Sequence, residues 1–232
     1  NNPKVISCIS KIASNANENL IAKPNERVCC GAPTIYSGDK SIAKELAQKN
    51  YDHIKNLDVD SILCECPECA YTLKEEYKKL GYEFKIPVYH VTEWIAKLVK
   101  ENKLKLKKDL SSTLSDLSFP IGYHDPCVLS RKMNVINEPY YVFSKLFKDQ
   151  FKEVSHSREL THCCGFGGVV NVVNSELANK ISQNRLNEFS ADGIKTIVTS
   201  CPTCWYSFMR NNMEFEFEIV DFVELIADLL ND

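Results

Sequence analysis

No stretch of this chain approaches the ~18 continuous apolar residues that a membrane-spanning helix needs. Its first residues, NNPKVISCIS, lack the charged and long apolar parts of a secretory signal. Together these absences point to a cytoplasmic protein, with any membrane association made through a partner. An initiator methionine is also lacking, which leaves room for chain upstream. With a net charge of −3 and mixed signs throughout, there is no clustered basic face, and nucleic acid is not the expected partner. The one basic run, KENKLKLKKDL from Lys100, reads as a solvated linker or a helix end. Finally, no C-x₂-C-x₂-C-x₃-C-P segment for cubane iron–sulfur clusters occurs.

The 232 residues, 44% of them apolar, suffice for the core of one large domain or two small ones. Eleven cysteines is a high and odd number. Without secretory features, it reads as metal or redox chemistry before disulfides. The stretch HCCGFGG, from His162, sharpens that reading. Adjacent cysteines bridge each other poorly, because their Cβ vectors diverge, whereas two thiolates can serve one inorganic centre.

The chain also repeats itself. Cys66-Pro67-Glu68-Cys69 aligns with Cys201-Pro202-Thr203-Cys204 at an offset of 135 residues, and the same offset carries Ala43 onto Ala178 and Ile62 onto Ile197. YHVTEWIAKLV lies over VDFVELIADLL, which sets His90 opposite Asp221, and Cys29-Cys30-Gly31 corresponds to Cys163-Cys164-Gly165. Each copy has an amphipathic helical stretch, a short β-branched run, a CPxC opening a second helix with proline in its first turn, a strand-like run and a closing helix. Such alternation predicts an α/β fold of two pseudo-symmetric, Rossmann-like lobes with parallel-strand sheets, facing each other across a cleft. The boundary is expected between Lys107 and Ser118, with residues 1–110 as the first repeat and 111–232 as the second. Ligands of such units gather beyond the carboxyl ends of the strands, where both CPxC segments and Cys127 of HDPC fall.

Copy two reads Cys127, Cys163-Cys164-Gly165, Cys201 and Cys204; copy one reads Cys8, Cys29-Cys30-Gly31, Cys66 and Cys69. This C…CCG…CPxC pattern, present twice, resembles the cysteine-rich CCG domain of heterodisulfide reductase catalytic subunits of the B and D types. Iron–sulfur subunits of glycolate and lactate oxidation and of thiol:fumarate reductase are similar. YHDPCVLSR, THCCGFGGV and IVTSCPTCWYSF look like the family's second repeat, and RVCCGAPTIYSGD with ILCECPECAYTLKEEY like its first. Copy one departs from the pattern at its start. Cys8 stands in VISC where the family has a glycine before the cysteine, and the Cys8–Cys29 interval is fifteen residues shorter than its counterpart.

The resemblance implies that Cys8, Cys29, Cys30, Cys66 and Cys69 bind one [4Fe–4S] cluster of non-cubane shape, and Cys127, Cys163, Cys164, Cys201 and Cys204 a second. A disulfide such as the coenzyme M–coenzyme B heterodisulfide of methanogenesis would be reduced between them, or the thiols oxidised. Electrons would come from a ferredoxin-like subunit or upstream ferredoxin domain, a flavoprotein, or a membrane electron donor. Competing readings are an electron-relay subunit of a glycolate- or lactate-oxidising or thiol:fumarate reductase complex, and a zinc-stabilised scaffold, since four thiolates suit zinc equally well and one site could hold it. Gly165, Gly167 and Gly168 would bring backbone N–H groups close to the inorganic core, or simply form a tight turn. His124 and His162 are candidate proton carriers near ligand cysteines. Arg131 and Lys132 are candidates for holding an anionic substrate group. Cys64 reads as a small buried residue, and Trp94, Trp205, Tyr71 and Tyr206 read as core packing.

Overall fold

The computed structural model of the protein describes residues 4–22, 28–107, 114 and 117–231. Helix α1 (Lys4–Asn15) is followed by α2 (Ala32–Tyr36), α3 (Lys40–Ile54) and strand β1 (Ile62–Cys64). Helix α4 (Pro67–Tyr71) runs through a wide π turn (Thr72–Glu76) into α5 (Tyr77–Lys79), before β2 (Val88–His90) and α6 (Val91–Lys100). The second half contains β3 (Ile121–His124), a π turn (Val128–Lys132), α7 (Asn137–Leu146), α8 (Val170–Val173) and α9 (Ser175–Ala191). It closes with β4 (Thr196–Thr199), α10 (Pro202–Asn211), β5 (Glu218–Asp221) and α11 (Phe222–Asp228).

Local chemistry explains the boundaries. Asp39 and Asn174 stand at matching places before α3 and α9, and each side chain accepts the backbone N–H three residues on, at 3.0 Å. Pro67 and Pro202 occupy the first helical position of α4 and α10, where a missing N–H costs nothing. In both places the preceding residue, Cys66 or Cys201, is the extended N-cap. The second cysteine of each CPxC therefore lies on the first turn, on the side of its N-cap partner.

The fold is mixed α/β, and among the described residues β1 to β5 pair in parallel. β1 pairs with β2, and β4 lies between β3 and β5. β3 and β4 are buried throughout, as strands covered on both faces are. Register sets His124, Thr199 and Asp221 side by side at one carboxyl edge, and Cys64 beside His90 at the other.

One apolar core joins the halves. α1 packs on α11, and α6 packs on α7, so each closing helix lies on a helix of the other half. Val5, Ile9 and Ile12 meet Phe222, Val223 and Ile226, while Ile95 and Leu98 meet Tyr140 and Phe143. Smaller cores lie within each half and contain cysteines: Cys30 and Cys64 with Ala47, Ala70 and Tyr77, and Cys164, Cys201 and Cys204 with Phe189, Ile197 and Phe208.

The basic run is bound more closely than a solvated linker. Lys103 pairs with Glu18 at 2.8 Å, the Lys107 N–H donates to the Leu229 carbonyl at 2.9 Å, and Leu106 bridges to Leu230. Residues 108–110 of the run, and most of the interval expected to hold the repeat boundary, lie outside the described residues. Trp94 packs half-buried on the shared core, and Trp205 is half-buried. Tyr206 corrects the core assignment: it is 51% exposed, because it lies on the outer face of α10 with its ring edge against Phe166. Among the described residues, no helix is long and apolar enough to cross a membrane.

The alignment of His90 with Asp221 has a structural counterpart. Both end a strand and cap the following helix: the Asp221 carboxylate accepts the Val223 N–H at 2.8 Å, and His90 Nδ1 accepts the Thr92 N–H at 3.3 Å. His90 Nε2 faces the Glu65 carbonyl at 3.2 Å. Burial pushes the imidazole down to about 4, against about 6.5 in an unfolded chain. The unfolded chain takes up this proton first, so the contribution to stability is complete above about pH 6.5 and is lost as pH falls towards 4. The difference is worth ~3 kcal/mol. Denaturant titrations across that range should show His90→Asn flattening this part of the wild-type profile; superimposable profiles would show that His90 is not held neutral.

Candidate metal centre

The strand ends bring the cysteines of both halves to one place. Cys30 Sγ lies 3.3 Å from Cys69 Sγ. Side-chain interactions between thiols continue from Cys69 to Cys66, from Cys66 to Cys201, and from Cys201 to Cys204. They run on through Cys164 and Cys163 to Cys127. The Cys66–Cys201 contact joins the two CPxC segments, so a single line of sulfurs crosses between the halves. Beside Cys30, Cys66 and Cys69 lies a cavity of about 250 Å³, also lined by Ile9, Cys64 and Leu73.

Two of the expected ligands stand apart from this line. Cys29 is exposed, and its sulfur accepts the Gly31 N–H at 3.5 Å. Cys8 lies within α1 against the shared core, where burial and the carboxylates of Glu224, Asp228 and Asp221 push its thiol up. Cys127, by contrast, follows the end of β3 directly. Cys64 is buried beside the cavity, and burial pushes its thiol up.

Packing sulfurs this closely splits their proton affinities. The Cys127 and Cys164 thiols donate to Cys163 and pull it far down, and Cys204 and Cys66 do the same for Cys201, to about 5. The donors rise in turn: Cys66 through Cys201 and Cys164 through Cys163, each to about 12. Neighbouring thiolates cannot all be charged without a cation, since like charges at contact disfavour ionisation. A thiophilic metal centre displaces those protons and satisfies the whole set.

A buried imidazole supports that fit. His124, at the end of β3, is 0% exposed, and its Nε2 has no hydrogen-bond partner among the described residues. The Arg185 Nε–H donates to its Nδ1 at 3.4 Å, which leaves the ring proton on Nε2. Burial first, and then the Arg185 charge, push His124 well below the usual histidine range. Its ring nitrogen and the sulfurs of Cys164 and Cys204 lie within 4.8 Å of one another. An orphaned polar atom among thiols is what a removed inorganic acceptor would leave behind. His162 points the other way, into solvent, with Nδ1 2.5 Å from Glu188 Oε1.

The remaining expected residues divide by role. Gly165 and Gly31 have φ of +88° and +85°, in the left-handed region, and the Gly165 N–H donates to Cys163 Sγ at 3.3 Å. Gly168 has φ of +61°, and both Gly167 and Gly168 have open space around the Cβ position. Arg131 donates to the Thr161 carbonyl at 2.7 Å, so its guanidinium anchors the segment entering Cys163. Lys132 bridges the halves: its ammonium lies 3.0 Å from Tyr36 Oη and 4.7 Å from the Tyr71 ring centre, and Tyr36 in turn donates to Glu68. Tyr71 is thus half-buried beneath a cation.

Arg185 was not among the sequence candidates. Its signal was the inward stripe Ala178, Ser182, Arg185, Phe189 of α9, in which a cation occupies a core position.

A Cβ on Gly165 would lie 2.4 Å from the Ala178 carbonyl oxygen. Gly165→Ala should therefore displace Cys163 and Cys164 and lower metal content in the second set, measured as metal per chain after anaerobic purification. Gly167→Ala, with open space, should leave it unchanged; equal losses in both would show that space is not the constraint.

The family model for the cysteine-rich domain, CCG, matches residues 1–74 and 121–209. The dihydromethanophenazine:CoB–CoM heterodisulfide reductase of Methanosarcina acetivorans has a D-type subunit that is 31% identical over 87% of this chain and 49% of its own. The EtfAB:quinone oxidoreductase of Syntrophomonas wolfei is 33% identical over 77% of this chain and 25% of its own. One subunit of the fumarate reductase (CoM/CoB) of Methanothermobacter marburgensis is 28% identical over 90% of this chain and 40% of its own. The chain thus spans about half or less of the length of these relatives. With both matched segments enclosing the line of sulfurs, this chain belongs to the cysteine-rich CCG domain family, whose relatives named here are oxidoreductases or their subunits.

Proposed function

We propose that this chain is the part of an iron–sulfur oxidoreductase at which a disulfide is reduced, or two thiols are oxidised, between two [4Fe–4S] clusters of non-cubane form. Its repeats, residues 1–110 and 111–232, are read as pseudo-symmetric Rossmann-like lobes facing across the sulfur line. The observation that carries this reading is the interaction of Cys66 with Cys201, because it brings the two CPxC segments together. Cys127, Cys163, Cys164, Cys201 and Cys204 would hold one cluster, and Cys29, Cys30, Cys66 and Cys69 the other. Cys8 is assigned to packing instead. α1 packs on α11 as α7 packs on α6, which supports reading α1 as the counterpart of α7 and Cys8 as a packing residue rather than the equivalent of Cys127.

When bound, such clusters supply single electrons and Lewis-acidic iron beside the shared space. The chain's own residues do the rest. His124 holds a proton at Nε2, oriented by Arg185, where negative charge on sulfur would gather. Lys132, exposed beside Tyr36 and Tyr71, presents a cation to an anionic substrate group. Two relatives are named for the same pair of thiols, CoM and CoB, which supports their heterodisulfide as the substrate class. Electrons would arrive through a ferredoxin-like chain or domain. A relay of electrons without thiol chemistry is the second reading, favoured by the quinone oxidoreductase relative.

The test is anaerobic iron, sulfide and zinc analysis, with electron paramagnetic resonance before and after addition of coenzyme M or coenzyme B. About eight irons and eight sulfides per chain are expected, falling to about four of each in Cys201→Ser. A signal that changes with thiol supports catalysis at the clusters. An unchanged signal favours the relay, and stoichiometric zinc with little iron would leave only a scaffold.

A further inference from the structure

We propose that His156, His162 and Glu188 form a second, separate site that binds one Zn²⁺ ion on the outer face of the second half. This inference is independent of the cluster reading and goes beyond it. The three residues come from different segments: His156 precedes the 3₁₀ turn Arg158–Leu160, His162 follows it, and Glu188 lies on α9. Their ligating atoms all lie within 4.8 Å of one another.

Both imidazoles turn the same nitrogen to one carboxylate oxygen. His162 Nδ1 is 2.5 Å and His156 Nδ1 3.7 Å from Glu188 Oε1. The rings stack at 4.1 Å with 23° between their planes. Stacked imidazolium ions repel each other, and two neutral rings compete for one acceptor. A cation among the three atoms turns that competition into coordination, and imidazole with carboxylate suits zinc.

The carboxylate is held in place from behind. Arg185, whose side chain is 1% exposed, donates Nη1–H to Glu188 Oε2 at 2.5 Å and Nη2–H to the His156 carbonyl at 2.8 Å. One buried guanidinium thus orients two of the three ligands, as outer partners do in built metal sites. The front is open, with side-chain exposures of 47% for His156, 54% for His162 and 25% for Glu188. Three protein ligands and an open fourth position leave room for water. Zinc here would clamp the segment entering Cys163 and Cys164 onto α9.

The test uses the iron-loaded protein, so that the thiolates are occupied, with Zn²⁺ titrated against a chromophoric chelator and Co²⁺ as the spectroscopic probe. One additional equivalent should bind, and cobalt should show weak visible bands without thiolate-to-cobalt charge transfer in the near ultraviolet. His156→Asn and Glu188→Gln should each weaken binding by at least about tenfold, with iron content unchanged. No additional equivalent, strong charge-transfer bands, or affinity indifferent to both substitutions would overturn the proposal. Should the protein instead hold zinc on its cysteines, the cluster reading fails, yet the two substitutions would still remove one zinc and spare the thiolate-bound metal.

Discussion

Everything at the centre of this molecule depends on the exchange of helices between its halves. Because α1 lies on α11 and α6 lies on α7, neither half buries its closing helix alone. The shared apolar core built by Ile12, Ile95, Phe143 and Phe222 therefore fixes the angle at which the two sheets meet. That angle brings the carboxyl end of β1 against the carboxyl end of β4, and Cys66 meets Cys201.

The second constraint is electrostatic. Thiols gathered this closely cannot release their protons together, so along the line from Cys127 to Cys30 the thiols of Cys163, Cys201 and Cys30 are pulled down while their neighbours are pushed up. Such an arrangement is poised for a centre that brings its own positive charge. The surroundings are consistent with this. His124 keeps a neutral ring with one unpartnered N–H, and two helices direct their N-termini, through Pro67 and Pro202, at the sulfurs of their CPxC segments.

Arg185 connects the interior to the surface. Its Nε–H orients His124, while its Nη groups hold Glu188 and the His156 backbone. Burying a guanidinium costs a great deal of solvation unless its donors are met, and this one meets an imidazole, a carboxylate and a carbonyl. Its ring contact with Phe189, at 4.4 Å, covers the remaining face.

The sequence by itself determined the repeat, the order of elements within each copy and the cysteine spacing, because these follow from local periodicity, proline and capping residues that act within a few positions. The helices from Lys40 and Ser175, the strands at Ile62 and Thr196, and the equivalence of His90 with Asp221 were all legible in that way. Only tertiary structure decided that His124 points inward and His162 outward, since neighbours in sequence to ligand cysteines differ by the face of the chain they leave from. It also decided that Cys8 lies in a helix against the core, that Arg131 binds the main chain, and that Tyr206 is exposed. Such outcomes depend on which surfaces meet across the halves, and that is a property of packing between residues far apart in the chain.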